Sequence, residues 1–155
     1  MSEPWRKAKE EDYPFVLEGS REFEVFGPYR EIISNWLKDP WVETWIYNNR
    51  KGFLLLGPFF PLFFRSQIDI MAIYVAPSWR RKGIGGKMLH FAEQRARAKG
   101  YRFLRAHVGC GNFPALRLFQ KASFKIKKRI EGYYPSGLAA FEFLKDLRKT
   151  EKDGP

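Results

Sequence analysis

Cysteine is almost missing from this chain: Cys110 is the only one among 155 residues. One thiol can neither close an internal disulfide nor build a cysteine-ligated metal cluster, and it suits a reducing compartment. Histidine is scarce as well, with two. No apolar run reaches membrane-spanning length, because the longest, residues 53–64, is interrupted by Gly57, Pro58 and Pro61. The opening Met1-Ser2-Glu3-Pro4-Trp5 lacks the basic-then-apolar order of a secretory leader. A cytoplasmic protein with no membrane partner is therefore expected. Acid is in short supply, 17 Asp and Glu against 28 Lys and Arg, and the net charge of +11 favours an anionic partner. Charge alone does not choose among nucleic acid, a ribosome, a membrane surface and a phosphorylated cofactor.

What is present is apolar and aromatic material, 45% and 17% of the residues, enough to bury a core. One domain over residues 1–147 is expected, followed by a polar tail at 148–155. Residues 5–8 read as a short strand. The acids Glu10, Glu11 and Asp12 precede 13–17 as the first turn of a helix, which Gly19-Ser20 ends loosely. A second helix is expected over 29–38, with Ile32, Ile33, Trp36 and Leu37 on one face and Asp39-Pro40 as its stop. Residues 42–47 and 53–56 form a hairpin, with 57–64 as a kinked continuation. Then follow strand 67–75, helix 83–99, strand 103–108, helix 112–122 and strands 124–131 and 139–144. The order describes a mixed α/β sheet.

The densest signal is Arg80-Arg81-Lys82-Gly83-Ile84-Gly85-Gly86-Lys87, at a strand-to-helix junction. Glycines there let backbone N–H groups converge, the helix start adds partial positive charge, and the basic side chains add mobile cations. A ligand with several phosphate charges, such as one that includes a pyrophosphate, fits that combination. A Gly-rich turn with solvated basic residues would share the spacing.

The run from Ile73-Tyr74-Val75 through Arg80 and Gly85 to Leu89 resembles the coenzyme-binding segment of the Gcn5-related N-acetyltransferase (GNAT) superfamily. That family's signature, Arg/Gln-x-x-Gly-x-Gly/Ala, is filled by Arg80, Gly83 and Gly85. A second block, Asn112-Phe113-Pro114-Ala115-Leu116-Arg117-Leu118-Phe119-Gln120-Lys121-Ala122-Ser123-Phe124, is similar to the family's Asn-x-x-Ala-x-x-Leu-Tyr-x-x-x-Gly-Phe. The resemblance implies an α/β fold with a central mixed, mostly antiparallel, splayed sheet of six or seven strands and about four helices. It implies acetyl-CoA as co-substrate, with no metal. The pyrophosphate would be held by Arg81, Lys82, Gly83, Ile84, Gly85, Gly86 and Lys87, and the pantetheine arm would run along Ile73, Tyr74 and Val75. Asn112, which caps its helix on general grounds, and Phe119 would also lie by the coenzyme. Two departures stand out. Phe119 occupies the position where the family often has a tyrosine acid, and it has no proton to give. Ser123 replaces a glycine, which implies a slightly different turn.

An amine must lose its proton to attack a thioester, so a base is needed near the sulfur. Alignment from the glycine motif places Asp69 where histone-type members carry a catalytic Glu. Alignment from Asn112 places His107 where bacterial ribosomal-protein acetyltransferases carry Glu and some eukaryotic N-terminal acetyltransferases carry His. The His pKa is the better match, while Asp69 would need burial to raise its own. Either residue could instead be structural. Gly132-Tyr133-Tyr134-Pro135-Ser136-Gly137 resembles the loop with which N-terminal acetyltransferases hold a peptide backbone, and Tyr29 could line the same groove; a hairpin turn with two packing aromatics is the plain alternative. Arg95, Arg97 and Lys99 could make a nucleic-acid face but lack interleaved aromatics, so nucleic acid is not expected as the main partner. The reading is an N-acetyltransferase acting on a primary amine, preferably a protein N-terminus, as a monomer or homodimer. A small-molecule or Lys acceptor, or a coenzyme-binding module without turnover, are the alternatives.

Overall fold

Residues 52–57 are buried at every position, so the strand they form is covered on both faces and lies near the middle of its sheet. A computed structural model describes residues 4–58 and 66–148 of the chain. Its strands are β1 (Trp5–Lys7), β2 (Glu43–Tyr47), β3 (Gly52–Gly57), β4 (Gln67–Val75), β5 (Phe103–Gly109), β6 (Lys125–Ile130) and β7 (Ala140–Asp146). Its α-helices are α1 (Tyr13–Gly19), α2 (Tyr29–Leu37), α3 (Ile84–Ala98) and α4 (Phe113–Lys121). The strands form one sheet in the order β1-β2-β3-β4-β5-β7-β6. Every neighbouring pair is antiparallel except β4–β5.

Side-chain alternation along β3 divides the core in two. Leu54 and Leu56 join the stripe Ile84, Met88, Leu89, Ala92 and Ala96 of α3, together with Phe119 of α4 and Phe143 of β7. Phe53 and Leu55 face the other way, against Val16 of α1 and Ile33 of α2. The sheet is thus sandwiched, with α3 and α4 on one face and α1 and α2 on the other.

The parallel pair is short. β4 and β5 are in register only from Gln67↔Phe103 to Ile70↔Ala106. At that point Leu56 pairs with Ile70 and Leu55 with Ala72, which leaves Met71 as an extra residue in β4. Such a bulge bends its strand. Beyond it β4 follows β3 and β5 follows β7, so the two strands part and leave an open fork in the sheet.

Most expected elements lie where the sequence places them, within one or two residues. Three differ. Residues 20–26 are a 3-10 stretch rather than a loose end, and they carry Phe23 and Phe26. The continuation expected at 57–64 falls almost entirely outside the described residues, as does the tail beyond 148. Ser123 has a φ of 70°, in the left-handed conformation where a glycine is usual. With Phe124 N–H donating to the Phe119 carbonyl at 3.1 Å and Ser123 N–H to Gln120 at 3.0 Å, the helix end is the same kind of turn, not an altered one.

Asp12 was expected as a helix-start acid and is instead a buried anchor. Its carboxylate accepts two bonds from Arg6, at 2.7 and 2.8 Å, one from Arg50 Nε at 2.9 Å and one from the Lys9 N–H at 2.8 Å. The Arg6 hydrogen bonds, first among several, hold its pKa far below the usual 3.8, against the opposing effect of burial. That stability is present above the unfolded value and is lost as pH falls through and below it. Both guanidinium groups are nearly half exposed, which limits the worth of the cluster. We expect Asp12→Ala to destabilise the protein by about 2–3 kcal/mol at pH 7. Urea denaturation at pH 7 and at pH 3 should show the wild-type advantage shrinking at the lower pH.

Candidate active site

The fork between β4 and β5 opens into a cavity of about 210 Å³ lined from both faces of the sheet. On the α4 side are Ile73, Asn112, Ala115 and Phe119; on the α2 side are Phe23, Phe26, Tyr29, Trp36, Tyr133 and Tyr134. Asp69 and His107, from the two diverging strands, line it as well. Both proposed bases and all three proposed acceptor tyrosines therefore meet in one place, joined there by Ile73, Asn112 and Phe119.

Asp69 and His107 are engaged differently. Asp69 is 4% exposed and sits opposite Arg105 in the parallel register, where Arg105 Nε and Nη2 reach its two oxygens at 3.0 and 2.9 Å. Burial pushes its pKa up, and the Arg105 guanidinium opposes that push. His107 Nε2 lies 3.0 Å from Glu142 Oε1, and Arg105 Nη1 lies 3.6 Å from the same oxygen. An Nε2–H donating to Glu142 makes Nδ1 the basic nitrogen. Burial, then the charge of Arg105, lower the His107 pKa below 6.5 against the pull of Glu142, so the ring is neutral near pH 7. Its ring stacks on Tyr133 with centroids 4.4 Å apart.

The tyrosine loop between β6 and β7 is docked rather than free. Tyr134 packs on Phe26 at 4.4 Å between centroids, and its hydroxyl donates to the His107 carbonyl at 3.4 Å. Ser136 N–H donates to the Phe26 carbonyl at 3.0 Å. Gly27 has a φ of 146°, and a Cβ there would meet the Pro135 ring at 2.9 Å. A Cβ on Gly109 would meet the Phe26 ring at 2.6 Å. Both glycines are there because two loops and a strand end close on one another. Burial raises the Tyr133 pKa to about 12 and that of Tyr134 further, so both hydroxyls stay protonated.

At the other end of β4, Gly83 begins α3 with a φ of 79° and no side chain caps the helix start. Arg81 also has a left-handed φ, of 62°. A Cβ on Gly83 or Gly86 would meet nothing within 4 Å, while one on Gly85 would press on Leu118 of α4 at 3.1 Å. Gly83 and Gly86 leave the approach open, and Gly85 lets two helices close. The basic side chains are less mobile than expected. Arg80 donates from Nε to the Val75 carbonyl at 2.8 Å and pairs with Glu22, and Lys82 Nζ donates to the Ser78 carbonyl at 3.1 Å.

Residues 3–124 match the Acetyltransferase (GNAT) family. The chain belongs to that family. It is 31% identical over 80 residues to an N-alpha-acetyltransferase of Saccharolobus solfataricus, a match that spans 50% of this chain and 47% of that protein. Arabidopsis thaliana NAA60 in complex with acetyl-CoA superposes with a TM-score of 0.78 at 16% identity, covering 94% of this chain and 98% of that one. A ribosomal-protein-alanine N-acetyltransferase from Brucella melitensis gives a TM-score of 0.76 at 22% identity, covering 92% and 98%. The seven-stranded sheet with its four helices is the GNAT fold.

The glycine loop and the free edge of β4 have the chemistry that acetyl-CoA would need. An uncapped helix start beside two open glycines suits a pyrophosphate. The edge of β4 beyond the fork is unpaired on the β5 side, which suits the amides of a pantetheine arm. One lone pair of the Val75 carbonyl is already taken by Arg80. Asn112 does cap α4, accepting from Ala115 N–H at 3.4 Å. Phe119 is 2% exposed and packs on Phe124 and Phe143. Among the described residues no group of three His, Cys, Asp or Glu could hold a metal ion, and no helix is long and apolar enough to cross a membrane.

Sequence reasoning missed Arg105 and Glu142, which hold the two candidate bases, and the Phe23, Phe26 and Trp36 wall. Only Arg105 carried a usable signal, its period-two placement before His107 on one strand; Glu142 reaches the ring through the register of β7 against β5. Arg95 and Lys99, weighed as a nucleic-acid face, bind Glu43 at 2.8 and 2.7 Å, and Arg97 binds Glu93 at 2.8 Å. Burial alone would raise the Glu43 pKa, and its Arg95 and Lys99 partners bring it down to about 2 instead.

Gly83→Ala should weaken coenzyme A binding by up to about thirtyfold, since a left-handed alanine costs about 1–2 kcal/mol and a free loop that relaxes out of that conformation must regain it on binding. Calorimetric titration of wild type and variant checks this, and unaltered affinity would detach Gly83 from the donor site.

Proposed function

We propose that this chain transfers the acetyl group of acetyl-CoA to a primary amine by direct attack, with the α-amine of a protein or peptide N-terminus as its preferred acceptor. The observation that carries this reading is the Tyr133–Tyr134 loop, docked on Phe26 and stacked on His107 at the mouth of the fork. Flat aromatic area with polar tips beside a neutral imidazole suits an extended backbone that ends in an amine. The names of the relatives, an N-alpha-acetyltransferase and a ribosomal-protein-alanine N-acetyltransferase, point the same way.

The charges of the cavity support it too. Asp69 is the only carboxylate among the described lining residues, and Arg105 holds both of its oxygens. An acceptor with several positive charges, such as a polyamine, would find no counter-ion there.

In this reading the coenzyme supplies an activated thioester. The acceptor amine forms the new C–N bond as the C–S bond breaks, and His107 takes the amine proton directly or through water. Glu142 fixes the tautomer. Phe119 has no proton for the leaving sulfur, and the remaining hydroxyl donors on the cavity wall are Tyr29, Tyr133 and Tyr134. Asp69 orients Arg105 and, through it, Glu142 and the ring.

Thiol release should be measured with N-terminal peptides, Lys side-chain amines and polyamines. Turnover confined to peptides with free N-termini is expected, and release with polyamines but not peptides would overturn the acceptor. His107→Ala should lower kcat by about 10²–10⁴-fold. Because the His107 pKa is lowered, the acid limb that this base gives to wild-type kcat/KM should have its midpoint below the ordinary 6.5. Asp69→Asn should keep that acid limb but move it to lower pH, since the Arg105 charge facing the ring loses its partner. Unchanged rates across pH in both variants would remove these residues from the mechanism.

A further inference from the structure

The wall of the cavity opposite α4 is apolar and large. Phe23 and Phe26 come from the 3-10 stretch, Ile33 and Trp36 from α2, and Met71 is the bulge residue of β4. Four of the five are only partly buried, so their surfaces remain available at the cavity. Tyr29 holds the wall together, edge to face with Trp36 at 6.2 Å and with Tyr134 at 6.1 Å. Among the described residues that line the cavity there is no lysine or arginine, and the one carboxylate, Asp69, is held by Arg105.

We infer that this wall receives the first side chain of the acceptor peptide, and that the preferred acceptors begin with a large apolar residue such as Met, Leu or Phe. The inference rests on the N-terminal reading above and narrows it. A peptide whose backbone lies along Tyr133 and Tyr134, with its amine toward His107, carries its first side chain next to both. Phe26, Trp36 and Met71 line the same cavity. Ala, Ser or Gly would leave those aromatics facing water, and each missing methylene lowers the rate advantage of the correct substrate. A charged first side chain would have to shed water without a partner. Gly109 keeps this geometry, because only a missing Cβ lets the Phe26 ring sit over the strand end.

The test is a set of peptides identical from the second residue onward and beginning with Met, Leu, Phe, Ala, Ser or Gly. Thiol release gives kcat/KM for each. The large apolar group is expected to exceed the small group by tenfold or more. Trp36→Ala should lower kcat/KM for the Leu peptide more than for the Ala peptide and so compress the ratio. If the variant does not fold, the wild-type ranking still decides. Equal rates, or a preference for Ala, Ser or Gly, would overturn this inference and leave N-terminal acetylation standing. Release with small amines and with none of the peptides would overturn both.

Discussion

The parting of β4 from β5 is the constraint on which the site depends. A parallel pair that stayed in register to its ends would seal the sheet, and there would be neither an edge for a pantetheine arm nor a way through for an acceptor. Two local features prevent sealing. Met71 inserts a bulge that swings β4 toward β3. Along β5, His107 to Gly109 are committed to β7, where Gly109 pairs with Ala140. The backbone groups left unpaired between β4 and β5 at the fork are open to a ligand or to water.

A fork of this kind needs a clamp at its base, and the Asp69–Arg105 pair stands one rung before the last parallel rung. Both side chains are largely shielded from solvent, at 6% and 14% exposed. A carboxylate that buried would be costly alone, and removing either partner of such a pair typically destabilises by about 3–5 kcal/mol. The bidentate geometry satisfies it, and Arg105 then reaches Glu142 as well. The same side chains that hold the strands together thus set the charge around His107. Structure and proton chemistry share one network, which is why an acid expected as an alternative base is found holding an arginine.

The donor half of the site was legible in the sequence and the acceptor half largely was not, for a physical reason. A pyrophosphate cradle is built from consecutive backbone groups, so it leaves a contiguous signature of glycines and a basic run from Arg80 to Lys87. The helices and strands are likewise local, and their periodicities placed them closely. An acceptor wall is built from side chains that are distant in sequence: Phe23, Trp36, Met71, Gly109 and Tyr134 come from five separate segments. Only the Tyr133–Tyr134 pair is local enough to notice. The 3-10 stretch was missed because SREFEVF has no helical stripe; its conformation follows from Phe26 packing on Tyr134 and over Gly109.

Among the described residues, an ion pair links Arg80 of the glycine loop to Glu22 of the 3-10 stretch. Both side chains are more than two-fifths exposed, so the pair is worth about 0–1 kcal/mol and is weakened by salt. That is too little to couple the halves strongly, since coupling of practical size takes about 1–3 kcal/mol. The acceptor wall has its own supports in the Gly27–Pro135 contact and the Ser136 to Phe26 hydrogen bond, and the glycine loop has its own in the packing of Gly85 on Leu118. The glycine loop and the aromatic wall are therefore separately braced on one sheet, so that under the proposed reading the wall can be reshaped for another first residue without disturbing the loop proposed for the coenzyme.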